Sequence, residues 1–288
     1  MPTSSISVVV LTFNRRAELL VNLERLICNC PGVPILVVDN GSQDGTAAAV
    51  RSRFPEIEVL EAGANHGAAG RNLGVLACKT AYVAFSDDDT CWEPGALATA
   101  VRLLDAATAI AVLSARVLVG ENGDLDPTCE QMANSPLGRA DSGEPLLLGY
   151  MAGACVMRRA IFLDAGGYDP RLFLGAEEAL LTLDIASAGG LIVYADAVAT
   201  RHYPSPLRDA SQRRWLLARN AIWIAWLRLP WRLAWRESRE QWRIARRSGQ
   251  GAQVVLASLR GLHWVLAERR VVPPRVVRMR ERLLTATG

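Results

Sequence analysis

Short runs dominated by Val, Ile and Leu recur along the first 120 residues, separated by stretches with helical spacing. Ser7–Phe13, Ile35–Val38, Ile57–Leu60 and Ala81–Phe85 are too short for helices, and Ile110–Val119 adds a longer one. Most lack the polar alternation of a one-sided strand, so they read as strands buried on both faces. Between the first two, Leu19, Leu20, Leu23, Leu26 and Ile27 recur at helical spacing, and Pro31-Gly32 stops that helix. Asn14 is placed to cap it, and Asp44 or Thr46 to cap the next. Strands alternating with helices in this way predict a doubly wound, mostly parallel α/β sheet. The 288 residues, half of them hydrophobic, suffice for one such domain with a sizeable core and an appendage.

The strand Ala81–Phe85 runs into Ser86-Asp87-Asp88-Asp89. Open parallel sheets bind ligands beyond the C-terminal ends of their strands. Three adjacent carboxylates repel one another, so a cation is their natural partner. Hard oxygens of this kind suit Mg²⁺ or Mn²⁺ shared with substrate phosphates. If the chain stays extended, Asp87 and Asp89 point one way and Asp88 the other. A solvated acidic turn is the alternative. Asn65-His-Gly-Ala-Ala-Gly-Arg-Asn72 opens a helix running to about Lys79. Its glycines suit either close approach of Arg71 to a nucleotide or close helix–sheet packing, and their spacing is not that of a P-loop.

Further on, Gly120 to about Pro145 reads as a long polar loop, and Gly149–Met157 as a strand with small residues at Gly153 and Ala154. Leu174–Ala186 reads as a helix with Glu177 and Glu178 in its first turn, where acids also favour the helix dipole. Leu191–Tyr194 and Ala197–Thr200 read as short strands, with His202 directly after.

Charge divides the chain. Residues 1–200 carry 13 basic and 24 acidic side chains, a balance of −11, whereas residues 201–288 carry 19 and 5, a balance of +14. Seven of the eight Trp lie in the second part. Two regions with different partners are expected, divided as 1–205 and 206–288. In the second, helices are expected at about 208–229 and from Pro230 to about Arg247. On the latter, Arg232, Arg236, Arg239, Arg243 and Arg246 form one stripe with Trp231, Trp235 and Trp242 beside it. That composition suits an anionic membrane surface. Packing of the Trp stripe on the rest of the protein is the alternative, and nothing else supports nucleic acid. No apolar stretch reaches the ~20 residues needed to span a bilayer, and no signal peptide is visible. The six Cys show no C-x-x-C spacing, as expected of a reduced, cytoplasmic protein, peripheral on the inner face of the cytoplasmic membrane if its tail docks there.

The order of motifs resembles that of the inverting family 2 glycosyltransferases: Thr12-Phe-Asn-Arg15, Val37-Val-Asp-Asn-Gly-Ser-Gln-Asp-Gly-Thr46, Asn65-His-Gly with Arg71-Asn72, the Asp cluster, Gly153-Ala154 followed by Arg158-Arg159, Gly166-Gly-Tyr-Asp169 and the Glu177-Glu178 helix. The resemblance covers roughly residues 5–205 and rests on the order of at least six motifs. It implies the GT-A fold and transfer of a sugar from a nucleoside-diphosphate donor, a UDP- or dTDP-sugar, to a hydroxyl acceptor, saccharide or lipid-linked, in cell-surface polysaccharide or glycolipid synthesis. By this resemblance Thr12, Asn14, Asp39, Arg71, Asp87 and Asp88 bind the donor, and Asp89 ligates Mg²⁺ or Mn²⁺ with His202 as a further ligand. Gly153, Ala154, Asp169 and Glu177 lie on the acceptor side. Glu178 is the implied catalytic base, a Glu where the family usually has Asp. The family's helix often continues with Asp and Arg where this chain has Leu180 and Asp184. Alternatives are a nucleotidyltransferase, though Ser7–Asn14 lacks the glycines such a site uses, or a non-catalytic sugar-nucleotide-binding protein.

Overall fold

The computed structural model describes residues 5–204 and 210–286. Ten strands form one sheet in the order β3-β2-β1-β4-β9-β6-β10-β5, with β7 beside β6 and β8 beside β10. The strands β3 (Glu58–Glu61), β2 (Ile35–Asp39), β1 (Ile6–Thr12) and β4 (Tyr82–Asp87) run parallel. So do β6 (Ile110–Val119) and β10 (Leu191–His202), but β9 (Ala154–Arg158) lies antiparallel between β4 and β6. The predicted doubly wound, mostly parallel sheet is therefore present.

Alternation along β1 shows why its residues read as a continuous apolar run. Val8 and Val10 join a core with Leu19, Leu23 and Leu26 of α1 (Arg16–Asn29) and Leu97 and Leu104 of α4 (Ala96–Ala106). Val9 faces the other way, into a core with Val75 of α3 (Gly70–Ala77), Phe162 of α6 (Arg159–Asp164) and Leu181 of α7 (Glu177–Ala188). α2 (Thr46–Arg53) connects β2 to β3.

Several local expectations change. The polar stretch after Gly120 is not structureless: it holds β7 (Asp124–Leu125), α5 (Pro127–Ala133) and β8 (Leu146–Leu147). Asp126 caps α5 by accepting from Thr128 N–H. The strand expected from Gly149 begins only at Ala154. The two short strands at 191–200 are one, β10, with a shift of register between Ala195 and Ala199. That irregularity breaks the apolar pattern at Asp196, which is why the sequence suggests two pieces.

The C-terminal helices are α8 (Ala210–Arg228), α9 (Trp231–Arg247), α10 (Gly251–Arg260), α11 (Leu262–Ala267) and α12 (Pro274–Ala286). Residues 208 and 209 and the expected boundary at 205–206 lie outside the described residues. Trp223, Ile224 and Leu227 of α8, Val265 of α11 and Val276 of α12 share a buried cluster with Phe85 and Leu181. No helix among the described residues is long and apolar enough to cross a membrane.

Candidate active site

Register alone brings the first functional side chains together. Thr12 pairs with Asp39 across β1 and β2, and Leu11 pairs with Asp87 across β1 and β4, so the three strands end at one rim. Asp39 is buried and its Oδ1 accepts from Ser42 N–H at 2.9 Å, folding the Asp39–Gly45 segment back on itself. Asn14 does not cap α1. It adopts φ +52°, its Oδ1 accepts from Gln43 N–H at 2.8 Å, and its own N–H donates to Ser42 Oγ at 2.9 Å. The loops after β1 and β2 are thereby tied into one wall.

β4 ends at Asp87, and Asp88 and Asp89 turn into β5 (Thr90–Trp92), a strand hidden by its brevity. This turn replaces the extended geometry. Asp87 pairs with the buried guanidinium of Arg71. Asp88 and Asp89 instead share Arg15, whose Nη1 lies 3.1 Å from Asp88 Oδ1 and 3.2 Å from Asp89 Oδ2. Thr12 Oγ1 donates to Asp88 Oδ2 at 3.2 Å. Burial pushes the Asp88 carboxyl up to about 7; the Arg15 cation opposes this, and the neighbouring Asp87 and Asp89 charges reinforce it. Burial alone would lower Arg71, but the Asp87 carboxylate holds its pKa above the ordinary arginine value. Arg15 is not among the site residues expected from the sequence. The signal was there, as the last residue of the Thr-Phe-Asn-Arg run.

His202 arrives from the far edge of the sheet. β5 pairs antiparallel with β10, His202 lies opposite Thr90, and Tyr203 N–H donates to the Asp89 carbonyl at 2.8 Å. His202 Nε2 then stands 3.5 Å from Asp89 Oδ1. A buried carboxylate oxygen and an imidazole nitrogen this close form a donor pair that fits Mn²⁺ or Mg²⁺. Among the described residues no three His, Cys, Asp or Glu gather into a complete cage. An ion held by Asp89 and His202 would thus need further ligands from outside these side chains, as Mg²⁺ commonly does.

Gly153 closes the rim between β9 and β4. A Cβ built on it would lie 2.5 Å from Asp87 Oδ2, so any side chain there displaces the carboxylate. Ala154, next along, pairs with Ser86. Beneath Arg71 lie Phe85, Phe162 and Tyr168, packed against one another with ring centroids 5.4 to 6.0 Å apart. Tyr150 and Tyr168 join hydroxyls at 3.1 Å. Asn72 clamps the Tyr168 backbone on both sides, donating to its carbonyl at 2.8 Å and accepting from its N–H at 3.0 Å.

Across this floor α7 opens with Glu177, buried, and Glu178, half-buried. The Glu177 charge is felt by Arg71, and that of Glu178 by Tyr150 and Cys155. Both acids therefore lie within electrostatic reach of the buried groups around Arg71 and Tyr150. Asp169, from the expected acceptor side, is held by Arg171 at 2.6 Å, and Arg171 also grips Glu268 at 2.6 Å. Asp184, one of the departures from the family pattern, pairs with Arg228 of α8 at 2.6 Å. It ties α7 to the C-terminal helices.

Residues 7–166 match the model of glycosyl transferase family 2. The chain belongs to that family. Among curated relatives, an N-acetylglucosaminyl-diphospho-decaprenol L-rhamnosyltransferase of Mycobacterium tuberculosis is 29% identical over 207 residues, covering 59% of this chain and 66% of its own. A pre-mycofactocin glycosyltransferase of the same species is 28% identical over 204 residues, covering 67% of this chain and 42% of its own. The chain thus spans less than two thirds of the length of either relative. Among solved structures, the mannosyltransferase PcManGT of Pyrobaculum calidifontis, in complex with GDP-Man and Mn²⁺, superposes with a TM-score of 0.60 at 16% identity. That match covers 98% of this chain and 86% of the other. GalNAc-T7 with UDP, GalNAc and Mn²⁺ gives a TM-score of 0.59 at 16% identity, covering 77% and 47%. S. aureus TarS 1-349 with UDP-GlcNAc gives 0.59 at 17% identity, covering 76% and 65%. The fold is the GT-A glycosyltransferase fold, as the motif order implies.

Proposed function

We propose that the protein is an inverting glycosyltransferase moving a sugar from a nucleoside-diphosphate donor to a hydroxyl on a saccharide or lipid-linked acceptor. The observation that carries this reading is the single rim where Asp87, Asp88, Asp89, Arg15, Arg71 and His202 converge, faced by the acidic start of α7. Asp39 and Thr12 line the nucleotide end. A carboxylate such as Asp39 suits the imide N–H that uracil and thymine share, which favours a UDP- or dTDP-sugar. Asp89 and His202 would hold Mn²⁺ or Mg²⁺, whose chemistry is to offset charge on the diphosphate as it leaves. Arg15 and Arg71 bring two fixed cations to the same rim. Glu178 takes the proton of the acceptor hydroxyl while that oxygen attacks the anomeric carbon, a contribution of about 10²–10⁴ in rate. Single displacement inverts the anomeric centre.

The catalytic unit is residues 1–205, and residues 206–288 form a helical extension that meets an anionic membrane. α9 exposes Trp231 and Trp235 at 54% and 59%, and α10 beside it exposes Leu256 and Leu259. Trp226 meets Trp231 and Trp235 edge-on, so these rings are braced as well as exposed. Of the arginine stripe, Arg243 reaches Glu240 at 3.5 Å and Arg246 lies over Trp242. Each basic side chain near an anionic surface contributes about 1 kcal/mol. This placement, at the inner face of the cytoplasmic membrane, suits a lipid-linked acceptor such as the one named for the mycobacterial rhamnosyltransferase.

A thermal-shift screen of sugar nucleotides with and without Mn²⁺ tests the donor, since a true donor stabilises by mass action. NMR of the transferred sugar then tests inversion. Binding without turnover would leave a non-catalytic sugar-nucleotide-binding protein, and a retained anomeric configuration would refute the mechanism.

A further inference from the structure

Between Asp169 and the acidic helix the chain passes through Leu172–Ala176, where three residues are left-handed: Phe173 at φ +62°, Gly175 at +89° and Ala176 at +63°. Non-glycine residues in this region cost about 1 kcal/mol or more and persist where their surroundings over-determine them. Two elements hold this segment. From the donor side, Ala68 N–H donates to Phe173 O at 2.7 Å, and a Cβ on Gly67 would collide with that carbonyl. From the C-terminal side comes Asn220 of α8, fully buried. Its Nδ2 lies 2.8, 3.2 and 2.6 Å from the carbonyls of Leu172, Leu174 and Gly175.

The Asn220 amide is itself oriented. Its Oδ1 accepts from Arg219 Nε at 2.9 Å and Nη2 at 2.6 Å, so the NH₂ end must face the loop. Arg219 Nη2 also donates to Leu172 O at 2.9 Å, and its guanidinium lies 4.2 Å over the Trp223 ring. Burial lowers Arg219 to about 10, and no carboxylate pairs with it among the described residues. A half-buried cation is thus committed to backbone carbonyls and to fixing one amide. Plain packing of a helix needs neither.

We propose that Asn220, oriented by Arg219, is a positioning residue for the catalytic acids: α8 fixes the strained loop whose last residue, Ala176, starts the helix bearing Glu177 and Glu178. The C-terminal helices complete the active site, beyond any role at a membrane. Only the catalytic consequence rests on the proposed role of Glu178; the structural one stands apart from it.

The test is Asn220→Leu, which keeps the approximate volume and removes the donors, with Arg219→Met as a milder second variant. Amide hydrogen exchange, which needs no substrate, should rise at least tenfold across residues 172–180 in both, while β1 and β4 stay protected. Unchanged exchange at 172–180, or equal loosening of β1 and β4, would overturn the proposal. For activity the probes are UDP with Mn²⁺ for binding and UDP release from UDP-glucose or UDP-N-acetylglucosamine for turnover. UDP affinity should stay within twofold while kcat falls about 10–100-fold, the size a displacement of an ångström produces. If Asn220 acts through Glu178, the double variant Asn220→Leu/Glu178→Gln should be no slower than Glu178→Gln alone. Additive losses would refute that link. Full activity in Glu178→Gln beside raised exchange in Asn220→Leu would remove the base assignment and leave the loop-positioning role standing.

Discussion

Gly153→Ala is a one-methyl perturbation whose consequence can be worked from distances. The added Cβ would sit 2.5 Å from Asp87 Oδ2 and 2.6 Å from its Cγ. Carbon–oxygen contacts settle at about 3.3 Å or more, so the carboxylate must retreat by roughly 0.8 Å. It cannot do so freely, because the buried Arg71 holds it. Overpacking of this kind costs about 1–3 kcal/mol. Gly153 has no positive φ, so alanine also restricts the unfolded chain and returns about 0.4–1 kcal/mol. A net loss of about 0.5–2 kcal/mol should lower the melting temperature by roughly 1–3 °C for a chain of this size. UDP·Mn²⁺ affinity by calorimetry should fall about tenfold, since the displaced group is one of the carboxylates proposed to bind the donor. The double-mutant cycle with Asp87→Ala decides the cause. With the carboxylate gone, Gly153→Ala should cost nothing or stabilise slightly. The same loss in both backgrounds would refute the contact as the reason for glycine.

Asp89→Asn should remove most of the Mn²⁺-dependent stabilisation by UDP while leaving the apo melting temperature within a few degrees; unchanged metal dependence would return the Asp cluster to a structural role. Asp88 is held up to about 7, so the native state keeps a proton that the unfolded chain releases near pH 4. Its contribution to stability should decline as pH rises from about 4 to 7, and Asp88→Asn should flatten that slope in urea titrations at pH 5 and 8; a slope that persists would contradict the assignment. Of six thiols only Cys28 is exposed, and burial pushes Cys30 and Cys91 up to about 12. A thiol reagent at pH 8 should therefore modify one cysteine per native chain and the remaining five only on unfolding. Flotation on anionic liposomes at low salt should be lost when Arg232, Arg236 and Arg243 are changed to Glu; wild type that never floats would remove the membrane.

The strand-end half of the site is written locally, which is why it can be read. Thr12, Asp39 and Asp87 each end an apolar run, and parallel register brings such ends to one rim without further information. The two bends that complete the rim are harder to see. β5 is three residues long and is recognisable only by its antiparallel partner, Thr200–His202. Arg15 is marked only as the end of the Thr12–Arg15 run, and that run does not say that it bridges Asp88 and Asp89, carboxylates more than 70 positions away in the chain. Asn220 is less legible still. It sits on a helix whose composition speaks of tryptophan and arginine, and its function depends on three carbonyls some 45 residues upstream. Departures from a family pattern were informative in a different way: Asp184 marks a contact with Arg228, made possible by the C-terminal helices.

Replacement of Glu178 by Gln tests the central claim most directly, because it keeps the shape and hydrogen-bonding length of the side chain and removes its capacity to take a proton. Single-turnover transfer and UDP·Mn²⁺ affinity should be measured on wild type, Glu178→Gln and Glu177→Gln side by side. The account predicts a fall in kcat of about 10²–10⁴ for Glu178→Gln, with nucleotide affinity unchanged and Glu177→Gln far less impaired in the chemical step. Wild-type turnover in Glu178→Gln, or the same loss found only in Glu177→Gln, would contradict it.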